Sequence, residues 1–455
     1  MDLMTKLALY LFALLLPFVE ASAQSVLDQY VQEGISHNLV LQQKKISYEK
    51  AISSLKIATS YFFPSINLQG SYTSGEGGRS ISIPVGDLMN PVYKTLNQLT
   101  GSNSFPQIQN VEQTFFPYKF YDVKIRTTMP LLNTDLIFNR EVQNTQRELR
   151  CIEIEMYKRE LAKEIKVAFF NILSAEAASK IYDNILLRAM EAKRVNESLL
   201  KNGTGLPVYI LRSESEIENI KSQKVEAENQ LRNAKYYFNF LLNKDLEEQV
   251  NTVLSAEELD IFSKLPPLVD RTLSKREEVK MLRKGIEINE SLAKMNNLYW
   301  IPKVSAFLDL GAQDQKWNYN TKSRYYLFGL QLDMPIFEAF RNQNKIDDAE
   351  LNLHNAKLEL QNITAQLRVS TNIASNAVTT ANQNYLSAVK QLEAAKSYYN
   401  LIMKGYQEGI NSFIETVDAR TQLLSSELST NINKYKILIS VANYERELAT
   451  NKINQ

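Results

Sequence analysis

Two stretches of this chain place an apolar residue at every seventh position over many turns. In the later one, Glu338 to Glu408 without a proline, the positions are Ile346, Leu353, Leu360, Leu367, Ala374, Ala381, Ala388, Ala395 and Ile402. A seven-residue apolar repeat predicts a helix with a continuous seam that packs on other helices. At 1.5 Å per residue such a helix is a rod of roughly 100 Å, where an ordinary globular helix has about a dozen residues. The earlier stretch repeats the seam with Ile154, Leu161, Ala168, Ala175, Tyr182 and Ala189, each 206 residues before its counterpart between Leu360 and Ala395. Two copies of one unit is the first implication.

Elsewhere the period changes. Residues 25–62 read as helix through Val26, Tyr30, Ile35, Leu39, Ile46, Ala51, Leu55 and Ala58, and the pattern stops at Phe63-Pro64. Ile66, Leu68, Gly70 and Tyr72 then alternate with Ser65, Asn67, Gln69 and Ser71, which predicts a strand. Residues 74–117, with their Gly, Ser, Asn and Pro, read as an exposed loop carrying a short helix around Gly86 to Leu99. A second strand is expected from Lys119 to Met129, ended by Pro130. Helix resumes after Asn133, breaks at Asn202 to Pro207, and continues to about Leu242.

The second half has the same order. A helix from Lys275 to Tyr299 ends at Trp300-Ile301-Pro302, strands follow at Lys303 to Leu310 and Arg324 to Met334, and Pro335 ends them. The long helix comes next, then a break at Glu408 to Asn411 and a last helix to about Thr450. Pro302 stands 238 residues after Pro64, Pro335 205 after Pro130, and Gly409 206 after Gly203. The first offset is larger because the first inter-strand loop is longer than its counterpart. The chain thus divides into a targeting segment, 1–23, a first repeat, 24–243, a connecting segment, 244–274, and a second repeat, 275–455. The connecting segment is expected to be irregular, with a short helix at Ala256 to Phe262.

Strands of about ten residues are long enough to cross a bilayer at a tilt. In the fourth, Tyr326, Phe328, Leu330, Leu332 and Met334 face one way and Gly329, Gln331 and Asp333 the other. Apolar outside and polar inside suits a membrane barrel. A soluble sheet with one face on a core gives the same alternation. Four strands cannot close a barrel, which takes about eight or more, and lipid does not tolerate an open edge. A membrane-spanning chain of this kind must therefore oligomerise, and three copies would supply twelve strands.

Composition narrows the chemistry. Net charge is +1, from 52 basic and 51 acidic residues, and no polybasic run or basic–aromatic interleaving points to nucleic acid. The one cysteine, Cys151, excludes an intrachain disulfide or a thiolate cluster, and its place near the start of a seam reads as packing. His37 and His354 lie far apart in helical surroundings, which suits solvated or capping roles. No nucleophile–base set, phosphate loop or metal spacing is present, so neither enzyme activity nor a cofactor is expected. Adjacent members of Glu277-Glu278 and Asp347-Asp348 point different ways on a helix and receive no acid–base role.

The first residues read as a secretory signal: Lys6, an apolar core from Leu7 to Phe18, and Ala21-Ser22-Ala23, with the mature chain beginning near Gln24. Its apolar core of about twelve residues is too short to span a bilayer. No cysteine follows the cleavage site, so a lipoprotein-type anchor is not expected. Beyond it no run of eighteen apolar residues occurs, so the exported chain is soluble or enters a membrane as β-structure.

The order helix–Pro–strand–loop–strand–Pro–long helix–Gly turn–helix, occurring twice behind a signal, resembles the TolC-like outer-membrane efflux proteins. Local motifs match: Phe63-Pro64-Ser65-Ile66 and Ile301-Pro302-Lys303-Val304, Met129-Pro130-Leu131-Leu132 and Met334-Pro335-Ile336-Phe337, and Tyr406-Gln407-Glu408-Gly409 followed by Glu415-Thr416-Val417-Asp418-Ala419-Arg420. The first tip, Gly203 with Ile210-Leu211-Arg212-Ser213-Glu214, is a looser version. The resemblance covers essentially the whole mature chain.

It implies a mainly helical fold with membrane β-structure: a homotrimer whose long hairpins form an α-barrel tube and whose strands, four per chain, form one twelve-stranded β-barrel. Such a trimer is a passive conduit through outer-membrane lipid and periplasm, joined by a periplasmic adaptor to an inner-membrane RND or ABC-type pump. Pro64, Pro130, Pro302 and Pro335 would make the barrel–tube junction, where a fixed φ and a missing N–H redirect the chain. Gly203, Leu206, Gly409 and Ile410 would form helical tips that meet the adaptor; plain helix caps fit these residues equally. Glu415 and Asp418, three apart on one helix face, would line a periplasmic aperture with Tyr406, while a solvated face fits the same spacing. Tyr209 and Arg212 stand at the corresponding first-repeat positions. A soluble periplasmic coiled-coil scaffold or adaptor is the alternative, although an adaptor would carry one hairpin flanked by β-domains.

Overall fold

The computed structural model describes residues 25–115, 118–253 and 273–450. The signal segment and the short helix expected at Ala256 to Phe262 lie outside them. The elements are α1 (Val26–His37), α2 (Leu39–Ser60), β1 (Ser65–Ser74), β2 (Ser80–Ile83), α3 (Val85–Thr100), β3 (Val111–Thr114), β4 (Lys119–Leu132), α4 (Thr134–Lys201), α5 (Pro207–Leu242), α6 (Glu277–Asn297), β5 (Lys303–Asp314), β6 (Arg324–Asp333), α7 (Arg341–Gln407) and α8 (Phe413–Leu448). The chain forms two compact units: the described parts of 1–51, 146–287 and 354–455, and those of 52–145 and 288–353. No described helix is long and apolar enough to cross a membrane.

The first unit is helical. Its main core gathers Leu27 and Val31 of α1, Leu161, Ile165, Phe169, Phe170 and Ile172 of α4, Phe238, Leu241 and Leu242 of α5, and Leu438 and Ala442 of α8. Two smaller clusters join Val378 and Ala381 of α7 to Ile437, Val441 and Tyr444 of α8, and Ile185 and Ala189 of α4 to Ile217 and Ile220 of α5. None of the nine seam residues of α7 is exposed. The alanines at 381, 388 and 395 are fully covered, because small side chains let helix backbones approach closely.

One helix expected over 25–62 is two. The buried Asn38 interrupts it: its Nδ2 donates to the Leu241 carbonyl at 3.0 Å, and its Oδ1 accepts from Leu41 N at 3.1 Å and Tyr157 Oη at 3.2 Å. An asparagine that satisfies backbone groups with its side chain caps one helix and starts the next. Cys151, expected in packing, is exposed.

An ionic layer crosses this unit where α6 begins and α8 ends. Arg276, 4% exposed, binds Glu278 at 3.0 Å and Glu447 at 2.5 Å; Arg446 binds Glu160 at 2.9 Å and Glu278 at 2.8 Å; Arg159 binds Glu277 at 3.1 Å. Burial alone would raise the Glu278 pKa, but hydrogen bonds from Arg276 and Arg446 overcome it and hold the group down at about 2.

The second unit centres on a four-stranded antiparallel sheet in the order β1-β4-β5-β6. β4 does not end at Pro130: it continues to Leu132, with a register irregularity between Pro130 and Leu132. A bulge admits a residue that has no N–H to give to the ladder. β5 also runs beyond Leu310, to Asp314. The long first loop carries a short antiparallel β2–β3 pair with α3 between its strands. Asn90 exchanges two hydrogen bonds of 2.9 Å with the Ile108 backbone, and Asn97 does the same with Phe105 at 2.8 and 3.1 Å.

Candidate functional site

The helical unit presents two tips whose glycine turns are built alike. At Gly203 and Gly409 φ is +74° and +73°, the left-handed region that suits glycine. In each, the glycine N–H donates to the carbonyl three residues back, at Leu200 and Tyr406, and the next residue's N–H reaches the carbonyl five back, at Leu199 and Gly405. This is the Schellman motif, which satisfies the last carbonyls of a helix. Leu206, in extended conformation, leads into Pro207 at the start of α5, and both Leu206 and Ile410 are exposed. Tip and cap are thus one geometry.

Behind the tips lies a buried polar network. Tyr406 Oη donates to Asn196 Oδ1 at 2.5 Å, Asn196 Nδ2 donates to Ser213 Oγ at 3.0 Å, and Ser213 Oγ donates to the Tyr209 carbonyl at 2.8 Å. The Phe413 ring sits 5.0 Å from Tyr209 and 6.1 Å from Tyr406. Arg420, 1% exposed, makes a bidentate pair with Glu216 at 2.7 and 2.8 Å. Together these residues tie α4 and α5 to α7 and α8. Burial, then the neighbouring Tyr209, pushes the Tyr406 hydroxyl pKa up.

The two carboxylates of this end have different situations. Glu415 closes a capping box: its carboxylate accepts from Ser412 N at 2.6 Å and Asn411 Nδ2 at 3.2 Å, while Ser412 Oγ accepts from Glu415 N at 3.3 Å. The Ser412 backbone donor, then Asn411, lowers its pKa. Asp418 is exposed and makes no ion pair among the described residues. Arg212 is also exposed, so the tip network runs through Tyr209, Tyr406, Asn196 and Ser213. Sequence reading missed Asn196, Ser213 and the Arg420–Glu216 pair; a charged residue at the buried 3–4 spacing of α8 was the available signal.

In the sheet unit the usual rule of exposure is inverted. Ile66 and Leu68 of β1 and Tyr326, Phe328, Leu330 and Leu332 of β6 lie on one face, carried across the ladder by Ile125, Leu308 and Leu310. Leu68 is 77% exposed and Leu330 64%, whereas Asp309 on the opposite face is 1% exposed. At one end of the sheet, Trp317 stacks on Tyr121 at 4.8 Å and on Tyr72 at 5.9 Å. At the other, Phe63, Trp300 and Phe337 are exposed beside the prolines. Pro64 and Pro302 immediately precede β1 and β5, Pro335 follows β6, and Pro130 lies inside β4. An apolar band bounded by aromatics is the dress of a sheet that faces lipid.

Solved outer-membrane channels share this architecture of long helices and a four-stranded sheet. CusC matches with TM-score 0.78 at 14% identity, over 93% of this chain and 91% of its own. CmeC of Campylobacter jejuni matches with TM-score 0.75 at 16% identity, over 93% and 86%. MtrE of Neisseria gonorrhoeae matches with TM-score 0.74 at 16% identity, over 93% and 88%. No curated protein matches in sequence. Residues 268–446 match the family model of outer membrane efflux proteins. The family match thus lies in the second half of the chain, and the chain as a whole shares the fold of these channels. Its structural neighbours are channels, not enzymes.

Proposed function

We propose that this chain is the outer-membrane component of a tripartite efflux or type I secretion system, working as a homotrimeric passive conduit. One observation carries the proposal. The sheet exposes its apolar face and leaves the outer edges of β1 and β6 unpaired among the described residues. In lipid, every backbone N–H and C=O needs a partner, so the edges must meet those of other copies. Three chains of four strands make a twelve-stranded barrel, and their α4, α5, α7 and α8 hairpins make a tube. A soluble scaffold or adaptor has no use for an apolar sheet face turned outward.

In this reading residues 1–23 direct export, the two repeats at 24–243 and 275–455 contribute equivalent halves around the segment 244–274, and the four prolines mark the junction between barrel and tube. The tips at Gly203, Leu206, Gly409 and Ile410 meet a periplasmic adaptor bound to an RND or ABC-type inner-membrane pump. Asp418, repeated by threefold symmetry, rings the aperture, with Glu415 beside it and Tyr406 holding the tips together. MtrE has been described in an open state, which supports an aperture that changes.

Membrane fractionation tests the function. The chain is expected in the outer membrane as an oligomer that dissociates to a monomer band only on heating. Recovery of a soluble monomer from the periplasm contradicts it. In planar bilayers the Asp418→Asn trimer should lose cation preference relative to the parent.

A further inference from the structure

The strand residues of the sheet's polar face are balanced in charge, and this leads beyond the barrel reading on which it rests. Asp122, Asp309 and Asp333 share that face with Lys124, Arg126 and Lys303. Arg126 grips Asp309 through two nitrogens at 2.6 and 2.7 Å, and Lys124 lies 3.1 Å from Asp122 and 3.8 Å from Asp309. Tyr325 Oη donates to Asp122 at 2.7 Å. These long side chains are held along the wall rather than projecting from it.

Two glycines make room for this. Phe307 is paired with Gly329 across β5 and β6, and a Cβ built on Gly329 would lie 2.6 Å from the Phe307 ring. Tyr325 is paired with Gly311, and a Cβ there would lie 2.9 Å from the Tyr325 ring and 2.8 Å from Lys124 Cβ. Each ring therefore lies down over a glycine, and the Arg126 guanidinium sits over Phe307 at 5.1 Å. An aromatic laid over a glycine fills the gap in the pleat without adding height.

The geometry points to a low-profile, charge-neutral barrel wall, in which Gly311 and Gly329 set the breadth of the passage and the Arg126–Asp309 and Lys124–Asp122 pairs cancel its field. The cargo class it suits is bulky solutes of either charge. Discrimination by charge would fall to the proposed Asp418 ring. A passage whose wall charges are paired has no net potential to concentrate one sign of ion, whereas an unpaired charge would act once per chain around the axis.

A cysteine in place of Gln331, on the same face of β6, reports the wall directly in a Cys151→Ser background. Rates of reaction with an anionic and a cationic thiol reagent, applied to the assembled oligomer, should stand in the ratio found for a free thiol. Adding Asp309→Asn should speed the anionic reagent and slow the cationic one, and adding Arg126→Gln as well should restore the ratio. Lys124→Gln, which leaves the Arg126–Asp309 pair in place, should shift the ratio the opposite way; it carries the charge test if Asp309→Asn does not assemble. Gly329→Val should lift Phe307 and slow both reagents, and Phe307→Ala in the same chain should relieve the loss. A strongly biased ratio in the parent, or no response to the charge and glycine variants, overturns the neutral flat wall while leaving the channel intact. A cysteine at 331 that neither reagent reaches shows a dry face, and then the channel reading itself fails.

Discussion

The helical unit and the sheet unit treat apolar side chains in opposite ways. In the helical unit Phe169 and Phe238 are fully covered by α1, α4 and α5 of the same chain, with Tyr30 packed on both rings. In the sheet unit Leu68, Phe328 and Leu330 are among the most exposed large side chains. Burial of a large apolar side chain is worth about 1.5–3 kcal/mol, and the sheet forgoes that gain unless lipid supplies the cover. The first unit builds its core from its own chain; on the channel reading proposed above, the second finds its cover only in lipid.

The sharpest way to break this contrast is to perturb each side with one substitution. Phe169→Ala should destabilise the helical unit by about 3–5 kcal/mol, seen as a lower melting temperature by circular dichroism. Leu330→Arg should leave that melting alone but cost roughly 2–4 kcal/mol per chain in the bilayer, seen as loss of assembled oligomer from the outer membrane. If the sheet instead packed as a soluble surface, Leu330→Arg would change stability by no more than about 0.5 kcal/mol and assembly would persist.

Acid should separate the units next. Glu278 is held down to about 2 against an ordinary value of 4.5, with burial opposing and Arg276 and Arg446 prevailing. A lowered folded-state pKa contributes stability above the unfolded value and loses it as pH falls through the folded one. The helical unit should therefore weaken between pH 4.5 and 2, by at most about 3 kcal/mol from this group. Glu278→Gln should flatten melting temperature against pH in that window, leaving the smaller slopes of other lowered carboxylates such as Glu160, whose pKa Lys163 and Arg446 hold down against burial, and Glu176. The smallest effect belongs to the tip: Ser412→Ala removes one half of the capping box and should cost about 1 kcal/mol, measured by hydrogen exchange at the start of α8.

Much of this was legible in the sequence. The seven-residue seam gave α4 and α7, alternation gave β1, β4, β5 and β6, and Pro64, Pro302, Pro335, Gly203 and Gly409 gave limits, because each of these is a local rule. What escaped depends on partners far along the chain. Asn38 breaks a helix because Leu241 offers a carbonyl, and β4 passes Pro130 because β5 supplies a bulged ladder. Arg420 meets Glu216 from 204 residues away, and Tyr406 meets Asn196 from 210. Glu415 was legible as an acidic residue near the tip; its part in the cap depended on where α8 begins.

If the sheet of one chain is completed by other copies, the outer edges of β1 and β6 meet across the boundary between chains. Cysteine pairs, one on the outer edge of β1 and one on that of β6, in a Cys151→Ser chain oxidised within intact outer membranes, test it most directly. Crosslinked species that reach three chains and no further are predicted, without reduction of the oligomer's heat stability. A chain that oxidises only within itself, or remains single at every pair, contradicts it.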